Sequence, residues 1–340
     1  MNIVVLAGGY SPEREVSLTS GSLIANALIK NGHCVLLLDA YCGIRNLPEN
    51  PLSLFKNEPT YAHHISEQIP DLQKLKAENG NSDTLIGPNV LELCRIADRV
   101  FLALHGAMGE NGQLQATLDN YGIRYTGSGY IGSLLAMDKD IAKRLLRDAG
   151  IRTPDWVFVT PTHPQTRNTI LQRIGLPCVI KPCSCGSSVG VTIVETESEL
   201  DAALTLAAAW ENRVLAEKKI TGRELTVAIL DGQTLPIVEI IPSEGFYDYK
   251  NKYQGNTREV CPAEISANAA QKASDATRRG FEALRLGGYA RFDYILDADG
   301  EVWCLEANTL PGMTPVSLMP QAAAAAGISY EELCERIIHL

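Results

Sequence analysis

Apolar positions along the chain follow two periods, and the changes between them mark its elements. Residues 3–7 (IVVLA) form a continuous apolar run that ends at Gly8-Gly9, which predicts a buried strand. Over 17–31, Leu18, Leu23, Ile24, Ala27 and Leu28 recur at helical spacing, and Gly32 stops the pattern. Residues 35–38 read as the next strand, and a β–α–β opening implies a parallel sheet. Residues 43–90 are weakly periodic and rich in Pro, Asn and Gly, which predicts an insertion with one short helix. A strand at 100–104 runs into His105-Gly106, and a short helix follows at 113–121.

A second unit begins near Gly127. It has one helix over 137–149 capped by Gly150, strands at 177–181 and 191–194 around a Ser/Gly loop, a helix over 198–209 and a strand at 214–217. A third unit has strands at 224–230 and 235–241, an irregular stretch over 243–263 and a helix over 266–285. Strands at 289–296 and 301–306 follow, then helix through Ala322–Ala326 and over 329–338. The expected division is 1–126, 127–216 and 217–340, in an α/β (α+β) fold.

Composition narrows the class. With 340 residues, the chain exceeds the ~100–200 of one domain. A net charge of −10 argues against a duplex nucleic-acid binder. No apolar run approaches the ~18 residues of a membrane span, and the start has no basic leader or cleavage site. The nine cysteines are scattered, which suits reduced thiols and a cytoplasmic location. His33, His63, His64, His163 and His339 have no partner pattern and read as surface or loop residues.

Two runs carry chemistry. In Lys181-Pro-Cys-Ser-Cys-Gly-Ser-Ser-Val-Gly190, a strand ends in lysine and a loop of small residues returns into another strand. Such a loop brings backbone N–H groups close to phosphate oxygens. It lacks the G-K-[ST] of a P-loop, and a plain hairpin with a surface lysine is the other reading. In Arg291-x-Asp293 and Glu306-x-Asn308, period two puts each pair on one strand face, and the turn between them makes the strands neighbours. Two carboxylates and an amide oxygen suit Mg²⁺, and Arg291 beside them suits a charged transition state. A solvated face with a salt bridge is the alternative. Lys139, Glu217 and Glu224 are weaker candidates for nucleotide contacts. Gly8-Gly9 with Asp39 imitates a dinucleotide site but lacks the third glycine, so NAD is set aside.

Together the segments resemble the D-alanine–D-alanine ligases of the ATP-grasp superfamily. The pieces are LAGGYSPEREVSLTSG, LALHGAMGENGQLQ, YTGSGYIGSLLAMDK, VIKPCSCGSSVGV, FYDYKNKY, CPAEI, ARFDYILD and LEANTLPGMTPVSLMP. They span nearly the whole chain in order; residues 43–98 match poorly, and Cys183, Cys185 and Pro315-Val316 depart from the pattern. The resemblance implies an ATP-grasp fold behind an N-terminal parallel-sheet domain. It implies that Glu13 binds the first D-alanine's ammonium, with His105 nearby. Ser317 and Leu318 would cradle the second D-alanine. Lys139, Lys181, Ser187, Ser188, Glu217, Lys218, Ile220, Glu224, Phe246 and Lys252 would hold ATP. Asp293, Glu306 and Asn308 would carry two Mg²⁺ ions, or Mn²⁺. Ser187, Tyr253 and Glu13 would link a mobile loop to substrate, and Arg291 with the Gly312 backbone would stabilise an oxyanion. The implied activity is ADP-forming ligation of two D-alanines for peptidoglycan precursors, by a homodimer, with no nucleic acid or membrane partner. The alternatives are a D-Ala–D-Ser or D-Ala–D-Lac ligase, another ATP-grasp carboxylate–amine ligase, or a non-catalytic nucleotide-binding protein.

Overall fold

A computed structural model of the chain describes residues 1–62, 70–186, 189–242 and 257–340. Its first layer follows from the apolar runs: β1 (Asn2–Ala7) is buried along nearly its whole length because parallel neighbours and helices cover it. The crossover helix α1 (Arg14–Lys30) leads to β2 (Cys34–Asp39). The segment expected to hold one short helix contains α2 (Leu72–Glu78), and α3 (Val90–Ile96) begins at its end. β3 (Arg99–Leu102) completes a parallel sheet of order β2-β1-β3, and α4 (Ala107–Glu110) and α5 (Gln113–Asn120) follow. Gly21 lets α1 settle on this sheet: a Cβ there would lie 2.7 Å from the Ala7 Cβ and 2.9 Å from Leu37 Cδ1.

The helix expected over 137–149 is α7 (Lys139–Asp148), and a further helix, α6 (Tyr130–Met137), precedes it. Asp138 separates the two. Its backbone is extended and its carboxylate accepts the Ile141 N–H at 3.0 Å, so it acts as the N-cap of α7. Lys139 thereby becomes the first residue of α7. β4 (Trp156–Val159) and α8 (Thr166–Arg173) were not legible, being short and weakly patterned. β5 (Cys178–Pro182), β6 (Thr192–Val194), α9 (Leu200–Ala208) and β7 (Val214–Lys218) complete an antiparallel sheet of order β4-β7-β5-β6.

The last sheet has order β11-β10-β8-β12-β13, with β9 paired to β8, and is antiparallel throughout. Its members are β8 (Arg223–Leu230), β9 (Gln233–Thr234), β10 (Val238–Pro242), β11 (Thr257–Val260), β12 (Tyr289–Leu296) and β13 (Val302–Asn308). α10 (Ala267–Ala283) separates β11 from β12, and α11 (Leu318–Ala325) and α12 (Tyr330–His339) close the chain. Leu146, Ala273 and Phe292 share one core between α7, α10 and this sheet.

The last two helices belong to the first layer's core: Leu333, Ile337 and Ile338 are buried in one cluster with Ile3, Ile24, Leu28 and Phe101. α12 packs against α1 and β3. Lys30 meets Glu331 at 3.0 Å, and His33 Nε2 meets Glu335 at 3.0 Å. His33 lies in the loop expected, between α1 and β2, and α12 half-buries its ring. His339 also contacts Glu335, at 3.0 Å, from an exposed position, and His63 and His64 lie outside the described residues. Among the described residues, no helix is long and apolar enough to cross a membrane.

Gly21→Val should destabilise the protein by about 1–3 kcal/mol, because the branched side chain must push α1 off the sheet. Urea unfolding followed by circular dichroism reads this; an unchanged midpoint would show that the contact is not tight.

Candidate active site

The β12–β13 pair brings the expected polar residues together. Arg291 lies opposite Asn308, and Asp293 lies opposite Glu306. Arg291 holds Asp293 with two parallel bonds, Nε to Oδ1 at 2.9 Å and a terminal nitrogen to Oδ2 at 2.8 Å. The Thr226 hydroxyl donates to the same carboxylate at 2.7 Å. Lys139 meets Glu306 at 3.2 Å, and Asn308 Oδ1 accepts the Leu310 N–H at 3.2 Å. The salt bridge considered as an alternative is thus present, but it lies in a recess: Arg291 and Asp293 are both buried. Among the described residues, no cluster of three His, Cys, Asp or Glu side chains forms a metal cage. Two carboxylates and an amide oxygen instead fit a hard cation that draws further ligands from phosphate and water, as Mg²⁺ does.

Beside the loop after β5, two lysines flank the buried Glu217. Lys181 Nζ donates to Glu217 Oε1 at 2.5 Å. Lys143, which the sequence reading passed over, approaches Glu217 Oε2 at 2.8 Å as an ion pair outside hydrogen-bond alignment. Burial raises the Glu217 carboxyl, but Lys143 and Lys181 outweigh it and hold its pKa below the ordinary value. Lys139 anchors the loop after β5: its backbone N–H donates to Cys183 O at 3.1 Å and its Nζ to Cys185 O at 2.7 Å. Cys183 is buried and donates its thiol to Asp138 at 3.3 Å, which gives that unusual residue a structural place. Ser187 and Ser188 of this loop, and Phe246, Lys252 and Tyr253, lie outside the described residues.

Two cavities result. The larger, about 780 Å³, is lined by Lys139, Lys181, Glu217, Lys218, Ile220, Glu224, Asp293 and Glu306, with apolar Val179, Ile193 and Leu305. Lys218 is exposed and the buried Lys181 lies deeper. The smaller, about 250 Å³, is lined by Glu13, His105, Arg291, Asn308, Gly312, Ser317 and Leu318. Lys139 and Glu306 line both, so the two spaces meet at that ion pair. Every described candidate residue falls in one or both.

The small cavity has fitted walls. A Cβ on Gly106 would lie 2.6 Å from Ser11 Oγ and 3.2 Å from Glu13 Oε2, and its φ of +80° also favours glycine, so the wall beside Ser11 and Glu13 is close-fitting. The Ser317 hydroxyl is 2.8 Å from Thr314 Oγ1 and accepts the Thr314 N–H at 3.1 Å. Burial lowers the His105 pKa despite Glu13 nearby, which keeps its ring neutral at pH 7. Its Nε2 has no hydrogen-bond partner among the described residues. Glu110 also lines this cavity and was missed, although it stands in the quoted Gly109-Glu110-Asn111 run. It accepts the Gly106 N–H at 2.6 Å, and burial, reinforced by Glu13, pushes its pKa up to about 8. Asp39 is consumed internally, by Arg14 at 2.7 Å and the Tyr41 and Cys42 N–H groups at 2.9 Å each. That removes the last support for a dinucleotide ribose contact.

Two family descriptions match the chain: "D-ala D-ala ligase N-terminus" over residues 2–128 and "D-ala D-ala ligase C-terminus" over residues 145–339. A D-alanine–D-alanine ligase of Pediococcus pentosaceus is 40% identical, covering 99% of this chain and 97% of that one. One from Gloeobacter violaceus is also 40% identical, covering 99% and 98%. Among solved structures, the Bacillus anthracis D-alanine–D-alanine ligase complexed with ATP is 32% identical, with a TM-score of 0.75 over 100% of this chain and 96% of that chain. The D-Ala:D-Ser ligase VanG of Enterococcus faecalis is 30% identical, with a TM-score of 0.78 over 100% and 98%.

The shift at Glu110 has a pH consequence. In the unfolded chain this carboxyl releases its proton near the ordinary value of 4.5, whereas the folded protein holds it to about 8. The native state therefore binds more protons across that window, and stability falls as pH rises through it. Glu110→Gln removes the titration, so its loss of stability between pH 5 and pH 9 should be smaller than the wild type's, by at most a few kcal/mol. Urea midpoints across that range test this; parallel curves would place the Glu110 pKa near its ordinary value.

Proposed function

The chain belongs to the D-ala D-ala ligase family, and on that premise we propose that it joins two D-alanines into D-alanyl-D-alanine at the expense of ATP. One observation supports this above the rest: a nucleotide-sized cleft and a small polar cavity share the Lys139–Glu306 wall. A phosphoryl donor in one space and a carboxylate acceptor in the other would meet there.

The chemistry requires that meeting. A carboxylate resists attack by an amine, so the first D-alanine is activated by taking the γ-phosphoryl group of ATP, which gives an acyl phosphate and ADP. Lys139 and Lys181 reduce the repulsion between the anionic carboxylate and the phosphates. Asp293, Glu306 and Asn308 are the residues to hold Mg²⁺, or Mn²⁺, which when bound further neutralises phosphate charge. Glu13 takes the first ammonium, and the neutral His105 ring adds a polar contact without charge repulsion. The second D-alanine, against Ser317 and Leu318, attacks the acyl carbon through its deprotonated amine; the C–N bond forms, the acyl–phosphate C–O bond breaks, and the proton that the nitrogen sheds leaves with the phosphate. Arg291 and the Gly312 N–H stabilise the tetrahedral oxyanion. Arg291 is oriented for this by its two bonds to Asp293.

In this reading, residues 1–126 form the substrate domain, and 127–216 and 217–340 form the two ATP-grasp halves. The ATP contacts of Ser187, Ser188, Phe246 and Lys252, and the link from Ser187 and Tyr253 to Glu13, rest on the family resemblance. A cytoplasmic homodimer serving peptidoglycan synthesis rests on the family resemblance.

ADP release with Mg-ATP and D-alanine alone, with D-alanyl-D-alanine as product, is the expected result. Release only when D-serine or D-lactate joins D-alanine would move the second substrate, and no release with any of them would refute the ligase reading. Arg291→Ala should leave ATP binding largely intact and lower turnover by ~10²-fold or more; unchanged turnover would remove Arg291 from the mechanism.

A further inference from the structure

Lys143 is buried more completely than any residue assigned to the site, with a relative exposure of 1%. It occupies the inward stripe of α7 with Lys139, Ala142 and Leu146, where a helix ordinarily places an apolar side chain. A buried ammonium is costly unless it is paired, so its retention calls for a task.

Its surroundings indicate one. The ammonium donates to Thr153 Oγ1 at 2.6 Å, lies 5.2 Å from the centre of the Trp156 ring and faces Glu217 at 2.8 Å. It is thus fixed from three directions, and it does not line the nucleotide cleft. Lys181 differs. It lines the cleft, and its partner among the described residues is Glu217 alone. In β5–β7, Lys181 lies opposite Leu215, and Glu217 lies opposite Val179, so the two side chains are diagonal neighbours on one face. One carboxylate is therefore shared by an anchored lysine at the back and a cleft-facing lysine at the front.

We propose that Lys143 is a positioning residue for nucleotide binding: it is the standing counterion of Glu217 that allows Lys181 to leave that carboxylate for the phosphates of ATP. Lys181 cannot neutralise Glu217 and a phosphate with the same protons. With Lys143 present, its departure leaves a neutral buried pair. Without Lys143, its departure strands an anion in a site that water does not reach. The proposal rests on the nucleotide reading of the larger cleft.

The test is a double-mutant cycle on the full chain with Lys143→Met, Glu217→Gln and the double variant, reading ATP affinity in Mg²⁺ by calorimetry together with KM and kcat. Lys143→Met should weaken ATP binding by about tenfold or more when Glu217 is present, and by less than about threefold in the Glu217→Gln background. Its kcat at saturating ATP should stay within about threefold of wild type, since the loss is in binding. Equal losses in both backgrounds would overturn the proposal, because a merely packing role does not depend on the Glu217 charge.

If Lys143→Met does not fold, the wild type and Glu217→Gln still decide. The groups facing Lys143 are Glu217, Lys181, Thr153, Trp156 and Cys304, and burial, aided by Lys181, lowers its pKa to about 8. Wild-type ATP affinity should therefore fall as pH rises through about 8, while Glu217→Gln stays flat. A flat wild-type profile, or the same fall in both proteins, would overturn it. Absence of ATP binding by the wild type would instead refute the nucleotide reading, and the inference with it.

Discussion

Lys139 cannot leave its place without unpairing charge in a region that water barely reaches. It is 7% exposed, and burial alone would favour its neutral form, but the pull of Glu306 is stronger and keeps it protonated. Breaking such a pair costs about 3–5 kcal/mol when the surviving charge is fully buried, and less here because Glu306 is partly exposed. Through its backbone and side chain this residue ties α7 to the loop after β5 and to β13. The relative placement of the central sheet, the last sheet and the wall between the cavities follows from that tie. The Asp138 cap sets the position of Lys139 by ending one helix and starting the next.

The polar faces of the site are built in pairs of opposite charge. Arg291 offsets Asp293, Lys139 offsets Glu306, and Lys143 with Lys181 offsets Glu217. The bidentate Arg291–Asp293 geometry fixes the plane of the guanidinium as well as its charge. The smaller cavity departs from this balance, with Glu13, Glu259 and Glu306 against Lys139 and Arg291 around a neutral His105 and a Glu110 that holds its proton up to about pH 8. An excess of carboxylates suits molecules that enter carrying an ammonium group.

Much of this was legible in the sequence where a local rule governs it. The alternation Arg291-x-Asp293 and Glu306-x-Asn308 predicts two facing pairs because strand geometry has period two, and the register puts them opposite one another. The apolar run at residues 3–7 and the stripe over 17–31 gave the parallel opening for the same reason. Asp138 was harder, since a capping residue inside an apolar stretch looks like a helix interior until its carboxylate is seen on the Ile141 N–H. Lys143 was invisible because its stripe position carries meaning only once β7 brings Glu217 beneath it. The partner of the loop residue His33 was hidden for a related reason: Glu335 is hundreds of residues away in sequence.

That last separation has a consequence for how the chain is made. Among the described residues the first layer holds three short parallel strands, and part of its apolar cover is Leu333, Ile337 and Ile338 from α12. During synthesis, the face of α1 that awaits α12 remains without it until Tyr330–His339 have left the ribosome. A core closed by the last helix has high contact order, so loop-closure entropy delays its completion. The first layer, although made before the two sheets that follow it, is thus among the last parts to finish folding, with apolar surface open through that interval.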